Sequence, residues 1–203
     1  MNWNSWNDRY EADGYLFGTE PAAPLKAIRP RLPERGTALA VADGEGRNSV
    51  WLAQLGFDVT AFDYSEVGVE KARALADRAG AKVDFHVADI TAWDWDAKRY
   101  DLVVGSFIQF MPPAMRAPAL DGLIRAVAPG GTLYLLGYRP EQVGRGTGGP
   151  PEVSHMYTED LLRSSFGTLD IEVLRSWEEF VDEGPGHHGQ SALIEMLARK
   201  PVG

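Results

Sequence analysis

Cysteine is absent from the 203-residue sequence, which excludes disulfides, thiolate nucleophiles and thiolate metal sites at once. Its absence also removes the usual sequence clue to the redox compartment. The adjacent residues His187 and His188 are not a metal signature by themselves. We therefore predict no metal site.

Long apolar runs and a basic excess are also missing. No stretch of about 18 consecutive apolar residues occurs, so we expect no membrane partner. The segment 1–6 lacks the basic and apolar regions of a signal peptide, and the expected location is the cytoplasm. The net charge of −9 disfavours a surface that neutralises many phosphates, so we expect no nucleic-acid partner.

What the chain does have is an alternation of β-rich runs and amphipathic helical runs. Repeated strand–helix–strand units imply a parallel sheet with helices on both faces. The helical patterns cover 21–28, 48–55, 65–79 and 115–127, and the strand patterns cover 37–41, 58–62, 82–87, 101–104 and 132–136. Two further strand-like runs, 169–181 and 191–199, have no helix between them and predict an antiparallel pair at one edge.

The predicted fold is therefore α/β: a Rossmann-like, doubly wound, mostly parallel seven-stranded sheet with an antiparallel edge strand. We expect one domain over residues 1–203, divided into an N-terminal cap segment (1–30) and a core (36–203). The oligomeric state that we expect is a monomer or a homodimer.

A glycine turn follows the first predicted strand. Gly44 and Gly46 allow positive φ and the close approach of a ligand to the backbone. Asp63 falls seventeen positions after Gly46, at the tip of the second strand, where a carboxylate can accept both hydrogens of a ribose diol. Together, the turn, the following helix and this acid predict a nucleotide-type ligand.

The residues of this turn also distinguish between nucleotides. The dinucleotide fingerprint Gly-x-Gly-x-x-Gly requires a third glycine, but Ser49 stands there when counted from Gly44. Asp43 and Glu45 would repel a pyrophosphate. A phosphate-free cofactor with a cationic sulfonium and ammonium, S-adenosylmethionine, suits this turn better, and an NAD(P)-dependent oxidoreductase is disfavoured.

At this point the chain resembles a known family. Residues 42–53 resemble motif I of class I methyltransferases, and in particular the tellurite-resistance-type subgroup. Residues 59–65, 88–90 and 127–133 match the later core motifs, while the segments 6–10, 17–21, 140–150 and 182–189 are similar to the ends of that subgroup. The resemblance implies methyl transfer from S-adenosylmethionine to a small-molecule acceptor, such as a thiol or a chalcogen oxyanion.

The resemblance also implies roles for single residues. Asp63 would hold the ribose, Asp89 the adenine amino group, and Gly44 and Gly46 the methionine end, while Ser106 would lie where donor and acceptor meet. The other expected cofactor contacts are Asp43, Glu45, Asn48, Tyr64, Ser65 and Ile90. Ser65 is also a candidate N-cap of the following helix.

Two family positions are atypical. Ala40 replaces the usual acid and Ala42 the usual glycine, and either Asp43 or Glu45 is a candidate to take over the function of that acid. The missing acid leaves open an alternative, a non-catalytic protein that binds S-adenosylmethionine or S-adenosylhomocysteine.

The acceptor side is predicted from the later residues. His188 and His187 are the catalytic candidates, with His188 preferred because it directly precedes a glycine as in the subgroup. Tyr138 and Arg139 are expected to bind the acceptor, Arg139 through an anionic group. The alternative for the histidines is an exposed hairpin loop without a function.

Aromatic residues before the first helix form a further predicted group. Tyr10 and Phe17, with Trp3, Trp6 and Tyr15, are expected either to fold over the site and exclude water or simply to pack on the core. Trp93 and Trp95 alternate with aspartates and are predicted to lie on the surface.

Overall fold

The computed structural model describes residues 4–202, and Trp3 lies outside them. Seven strands form one sheet in the order β3-β2-β1-β4-β5-β7-β6. The strands are β1 (Gly36–Val41), β2 (Phe57–Asp63), β3 (Val83–Val87), β4 (Tyr100–Ser106), β5 (Val127–Tyr138), β6 (Asp170–Asp182) and β7 (His188–Arg199). The predicted fold class is confirmed.

The first five strands are parallel. β1 lies in the middle and pairs with both β2 and β4, so the order reverses between β1 and β4. A strand that is covered on both faces needs apolar residues at successive positions, and Ala38 to Val41 are all buried. A doubly wound sheet opens a crevice at such a reversal, beyond the carboxyl ends of its strands.

β7 is antiparallel to both of its neighbours and lies between β5 and the outermost strand β6. Tyr138, the last residue of β5, is paired with Leu193 in the middle of β7, so the first residues of β7 extend beyond the end of β5. The β6–β7 hairpin consequently reaches the same edge of the sheet as the carboxyl ends of the parallel strands. This topology brings His187 towards the glycine turn.

In the part of the chain that the structure describes, six α-helices flank the sheet: α1 (Asn4–Tyr10), α2 (Ala23–Ala27), α3 (Arg47–Gln54), α4 (Glu66–Ala79), α5 (Pro113–Ala126) and α6 (Glu159–Ser165). The Ser65 side chain accepts a hydrogen bond from Gly68 N at 3.0 Å, which confirms it as the N-cap of α4. Helices α1 and α6 are not among the predicted elements. Within residues 4–202, no helix is long and apolar enough to cross a membrane.

The apolar core extends over both faces of the sheet and includes a region that the sequence patterns place on the surface. Trp95 is buried against α5, where a Cβ on Gly122 would lie 2.5 Å from the indole. Trp93 stacks on Phe62 with a centroid distance of 4.2 Å. The surface prediction for both tryptophans is therefore wrong, because Gly122 leaves room for one ring and Phe62 provides a face for the other.

Candidate functional site

One cavity of about 390 Å³ opens at the carboxyl ends of β1, β2 and β4. A cavity of this size is typical of a small-molecule or cofactor site. Twelve of the predicted site residues line it: Tyr10, Phe17, Asp43, Gly44, Asn48, Asp63, Tyr64, Asp89, Ile90, Ser106, Tyr138 and His187. Five others do not: Glu45, Gly46, Ser65, Arg139 and His188.

The glycine turn depends on left-handed backbone conformations. Gly44 has φ 60° and Gly46 has φ 88°, while Ala42 adopts φ 47° despite its Cβ. A Cβ on Gly44 would lie 2.5 Å from the Tyr10 hydroxyl oxygen, so this glycine lets the N-terminal segment approach the turn. A Cβ on Gly46 would lie 2.6 Å from the Ala72 Cβ, which makes Gly46 a packing residue between α3 and α4 and corrects its predicted contact with the cofactor.

Asp63 closes the turn from the tip of β2. Its Oδ2 accepts a hydrogen bond from Gly44 N at 2.8 Å, and its Oδ1 accepts one from Ser65 N at 2.8 Å. Burial raises the pKa of Asp63 to about 6, although the backbone hydrogen bonds from Ser65, Gly44 and Tyr64 oppose the shift. Each carboxylate oxygen has a second lone pair, so Asp63 can still accept hydrogens from ribose hydroxyls.

Asp43 carries a buried oxygen without a hydrogen-bond partner in the described chain, Oδ2. Burial raises the pKa of this carboxyl to about 7, against hydrogen bonding from Ser49 and with a further upward contribution from the Asp63 charge. Such a carboxyl is stabilised by a cation. The turn therefore fits a ligand with a diol near Asp63 and an ammonium near Asp43, which is the chemistry of S-adenosylmethionine.

The opposite wall of the cavity comes from the segment after β3. Asp89 Oδ1 accepts hydrogen bonds from Thr91 N at 2.8 Å and from Thr91 Oγ1 at 2.7 Å, so the carboxylate is held in place by its own turn. Ile90 is buried beside it. A fixed acid next to an apolar side chain is suited to an adenine, with its polar edge and its apolar face.

Glu45 has a different task from the predicted one. Its Oε2 accepts a hydrogen bond from Leu16 N at 2.7 Å, and its Oε1 lies 3.1 Å from Lys71 Nζ, which also donates to the carbonyls of Ala12 and Gly14. Glu45 thus fastens the N-terminal segment to α4 and lies outside the cavity. Glu45 is therefore not placed to contact a cofactor in the cavity, and of the two candidates for the function of the acid missing at Ala40 only Asp43 lines the cavity.

Ser65 is likewise occupied. Its hydroxyl donates to Asn7 Oδ1 at 2.6 Å while it caps α4, so its side chain joins α1 to α4 and does not reach the cavity. Asn48 does line the cavity, and its Oδ1 accepts a hydrogen bond from Ala22 N at 3.0 Å.

The N-terminal aromatic residues lie over the cavity. Tyr10 stacks on Trp6 with a centroid distance of 5.5 Å and meets the edge of Phe17 at 6.3 Å. Tyr15 points away, since its hydroxyl donates to the Lys71 carbonyl on α4 at 3.1 Å. Trp6, Tyr10 and Phe17 therefore form a cover that can exclude water from the site.

The two adjacent histidines face opposite sides. His188 is exposed and its Nδ1 lies 2.9 Å from Asp182 Oδ1, outside the cavity. His187 is buried and lines the cavity. Successive side chains alternate at the start of a strand, so only one of the pair can point inwards. Of the two catalytic candidates, His187 and not the preferred His188 therefore lies in the cavity.

His187 lies in an aromatic chamber. Its ring centroid is 4.4 Å from Phe17, 4.4 Å from Phe107 and 5.7 Å from Tyr138. Its Nδ1 is 3.6 Å from Glu183 Oε2. Burial lowers the pKa of His187 and outweighs the opposing interaction with Glu183, so the imidazole is neutral near pH 7.

Arg139 does not enter this chamber. Its Nη2 donates to Glu141 Oε1 at 2.9 Å, so Arg139 does not provide the cation that was predicted for an anionic acceptor. Tyr138 does line the chamber, with a buried hydroxyl that has no partner among the described side chains.

Several lining residues were not predicted. Phe107, Gln109 and Phe110 follow β4, and Pro150, Pro151 and His155 come from the loop after β5. Gln109 is buried and donates to the Tyr138 carbonyl at 2.7 Å, which ties the two segments together. Because Ser106 was predicted from its place at the carboxyl end of β4, the residues directly after it could have been predicted in the same way. Nothing in the local sequence indicates that the residues of the loop after β5 line the cavity.

Comparison with known proteins agrees with this geometry. The family model of the methyltransferase domain matches residues 38–131, from β1 into β5. The 2-heptyl-1-hydroxyquinolin-4(1H)-one methyltransferase of Mycobacteroides abscessus is 26% identical over 137 residues. That alignment covers 66% of this chain and 60% of the relative, so the chain matches less than two thirds of that enzyme's length.

Solved structures share the whole fold. A protein studied for the conversion of a disulfide bond into a thioacetal group during echinomycin biosynthesis superposes with a TM-score of 0.78, at 20% identity over 100% of this chain and 93% of its own. The N-methyltransferase NodS of Bradyrhizobium japonicum, with bound S-adenosylhomocysteine, gives 0.73 at 15% identity over 98% of both chains. TehB of Haemophilus influenzae gives 0.70 at 18% identity over 97% of this chain and 66% of its own.

Proposed function

We propose that the chain is a class I S-adenosylmethionine-dependent methyltransferase that acts on a small-molecule acceptor. A single observation carries the proposal. The cavity joins a cofactor half, formed by Asp43, Gly44, Asp63 and Asp89, to an aromatic half that contains His187. A binding protein needs only the first half.

The residues of the cofactor half would hold the donor in a fixed order. Asp89 and Ile90 bracket the adenine, Asp63 accepts from the ribose hydroxyls, and Asp43 pairs with the methionine ammonium in place of the acid missing at Ala40. S-adenosylmethionine brings a methyl group already activated on its sulfonium. The remaining tasks of the chain are to align the acceptor with that methyl group and to exclude water, and Trp6, Tyr10 and Phe17 cover the cavity accordingly.

The acceptor is a small molecule, and a thiol and a chalcogen oxyanion are the candidates from the sequence. The aromatic half favours the thiol. Phe17, Phe107 and Tyr138 offer apolar ring faces, and the charged Arg139 lies outside. Two arginines do line the cavity, but Arg47 is paired with Glu183 and Arg9 lies over the Trp6 ring. The quinolone methyltransferase of Mycobacteroides abscessus takes an acceptor with a flat ring body, which supports an apolar acceptor for this chain as well.

Two experiments test the proposal. Isothermal titration calorimetry with S-adenosylhomocysteine and with NAD is expected to give binding of the sulfur compound alone. A screen with S-adenosylmethionine carrying a radiolabelled methyl group, over thiols, phenols, selenite and tellurite, is then expected to label an acceptor. Binding of S-adenosylhomocysteine without labelling of any acceptor would support the non-catalytic alternative, and absence of binding would contradict both.

The other expectations from the sequence stay predictions. These are the cytoplasmic location, the lack of a nucleic-acid partner, the monomeric or homodimeric state and the division into cap segment and core.

A further inference from the structure

Glu183, a residue without a role in the proposed function so far, is the centre of a fixed charge network beside His187. Its Oε1 accepts a hydrogen bond from Ala23 N at 2.7 Å, and its Oε2 accepts one from Arg47 Nη1 at 2.8 Å. Glu183 N also donates to the His187 carbonyl at 2.9 Å. The carboxylate is therefore held by two elements, α2 and α3, and has little freedom to move.

The same carboxylate faces one nitrogen of the histidine. His187 Nδ1 lies 3.6 Å from Glu183 Oε2 and has no hydrogen-bond partner in the described chain. This separation exceeds the usual length of a hydrogen bond by a few tenths of an ångström. Catalytic hydrogen bonds are often this long before a substrate binds and shorten when it does. Burial opposes ionisation of Glu183, but the neighbouring His187 and the Arg47 charge hold the pKa of its carboxyl at about 2. A carboxylate that stays ionised is an acceptor for an Nδ1 proton at any pH near neutrality.

We propose that Glu183 holds His187 as the Nδ1-protonated tautomer, which leaves His187 Nε2 to take the proton from a weakly acidic acceptor, a thiol or a phenol. This inference rests on the proposed function and narrows its acceptor class. Glu183 is a positioning residue, because it acts through His187. An oxyanion such as selenite already carries a negative charge and needs no base. The Glu183–His187 arrangement would therefore not assist methyl transfer to such an acceptor.

The step balances as follows. The acceptor X–H gives its proton to His187 Nε2, and the electron pair on X forms the X–CH₃ bond. The bond between sulfur and the methyl carbon breaks and leaves its pair on sulfur, which converts the sulfonium into the neutral thioether. His187 then releases the proton to water. The groups whose charges act on His187 are Glu183 from the hairpin, Arg47 from α3 and Arg9 from α1.

The hairpin provides a matched control. Asp182 and His188 repeat the carboxylate–imidazole pair at 2.9 Å. Each lies one residue further from the hairpin turn than Glu183 and His187, and the pair lies outside the cavity. The variants Asp182→Asn and His188→Ala therefore remove the same kind of pair without touching the site. We expect both controls to keep the wild-type turnover.

The first measurement is the ¹⁵N spectrum of the imidazoles in the wild-type protein with S-adenosylhomocysteine, with His187→Asn used for the assignment. The proposal expects a neutral Nδ1–H form at pH 7 that is lost or mixed in Glu183→Gln. An Nε2–H form in the wild type would overturn it. This readout needs no acceptor, and calorimetry with S-adenosylhomocysteine tests the proposed function separately.

The second measurement is methyl transfer to thiophenol, dithiothreitol, 2-naphthol, selenite and tellurite. We expect labelling of thiols or phenols, with kcat lowered about 10²–10⁴-fold in His187→Ala and about 10-fold or more in Glu183→Gln, at nearly unchanged KM. Glu183→Gln should also shift the acidic limb of the pH profile of kcat. Labelling of selenite or tellurite alone, or full activity of His187→Ala on a thiol or phenol, would overturn the inference.

Discussion

Arg47 and Glu183 form a largely buried ion pair of 2.8 Å that connects the first turn of α3 to the β6–β7 hairpin. Arg47 Nη1 also donates to the Phe17 carbonyl at 3.0 Å, so one guanidinium joins the cofactor helix, the hairpin and the N-terminal segment. These three parts are far apart in sequence. Their relative position, and with it the shape of the cavity, depends on this pair.

Removal of the Arg47–Glu183 ion pair should lower the stability of the folded protein. Arg47→Gln leaves the Glu183 charge buried without its partner, and we expect the free energy of unfolding to fall by about 3 kcal/mol. Urea denaturation followed by tryptophan fluorescence measures it. The matched control is Arg31→Gln, which breaks an exposed pair with Glu172 at 3.5 Å and should cost less than about 0.5 kcal/mol. Equal losses in the two variants would contradict a special role for Arg47.

Asp43 should make stability depend on pH. Its folded pKa of about 7 lies above its ordinary value of 3.8, so between these values the folded protein keeps a proton that the unfolded chain has released. The free energy of unfolding therefore falls as pH rises through this window. In the absence of cofactor, we expect the free energy of unfolding of Asp43→Asn to rise relative to that of the wild type by about 1–2 kcal/mol as the pH increases from 4 to 8. The exposed Asp58→Asn should follow the wild type at every pH.

Asp43 should contact only the methionine end of the cofactor, through its ammonium group. Asp43→Asn is expected to bind S-adenosylhomocysteine about tenfold more weakly, because a charge-assisted hydrogen bond to the ammonium is lost. Its affinity for 5′-methylthioadenosine, which has no ammonium, should stay within about twofold of the wild type by the same reasoning. Calorimetry with both ligands measures this, and an equal loss for the two would exclude Asp43 as the ammonium partner.

Asp63 should behave differently in the same assay. Asp63→Ala removes the carboxylate that faces the ribose, and both ligands carry the ribose. We therefore expect at least about tenfold weaker binding of S-adenosylhomocysteine and of 5′-methylthioadenosine alike. A variant that loses affinity for only one of them would show that Asp63 acts indirectly, through the Gly44 and Ser65 amides that it holds.

Ala42 is strained by its φ of 47°. Ala42→Gly relieves that strain, and we expect the free energy of unfolding to rise by about 1 kcal/mol. Ala40→Gly is the matched control, because Ala40 lies in the extended strand β1, where glycine should lower the free energy of unfolding by about 1 kcal/mol. Thermal denaturation of the two variants should thus shift the midpoint in opposite directions.

The sheet was predictable because its signals are local. Apolar runs such as 37–41 and 101–104 are typical of strands that are covered on both faces, and glycine turns follow them in the chain. Asp63 and Gly44 were found for the same reason: the position of each relative to its own strand end is enough to place it at the crevice.

The residues that were misplaced depend on long-range contacts. Glu45 is withdrawn from the site by Leu16 N and Lys71, and neither partner can be read from the turn itself. The choice between His187 and His188 depends on the residue at which the β6–β7 hairpin enters the sheet. Trp95 is buried because Gly122, on helix α5, leaves space for its ring.

The N-terminal cover spans both halves of the cavity. Tyr10 lies on Gly44 at the cofactor turn, and Phe17, seven residues later, touches His187 in the aromatic chamber. One segment therefore guards both ligands. If this segment has to move to release the spent donor, the same movement would open the aromatic chamber. We therefore expect the two products to leave together, and a slow opening would limit the rate of the whole cycle.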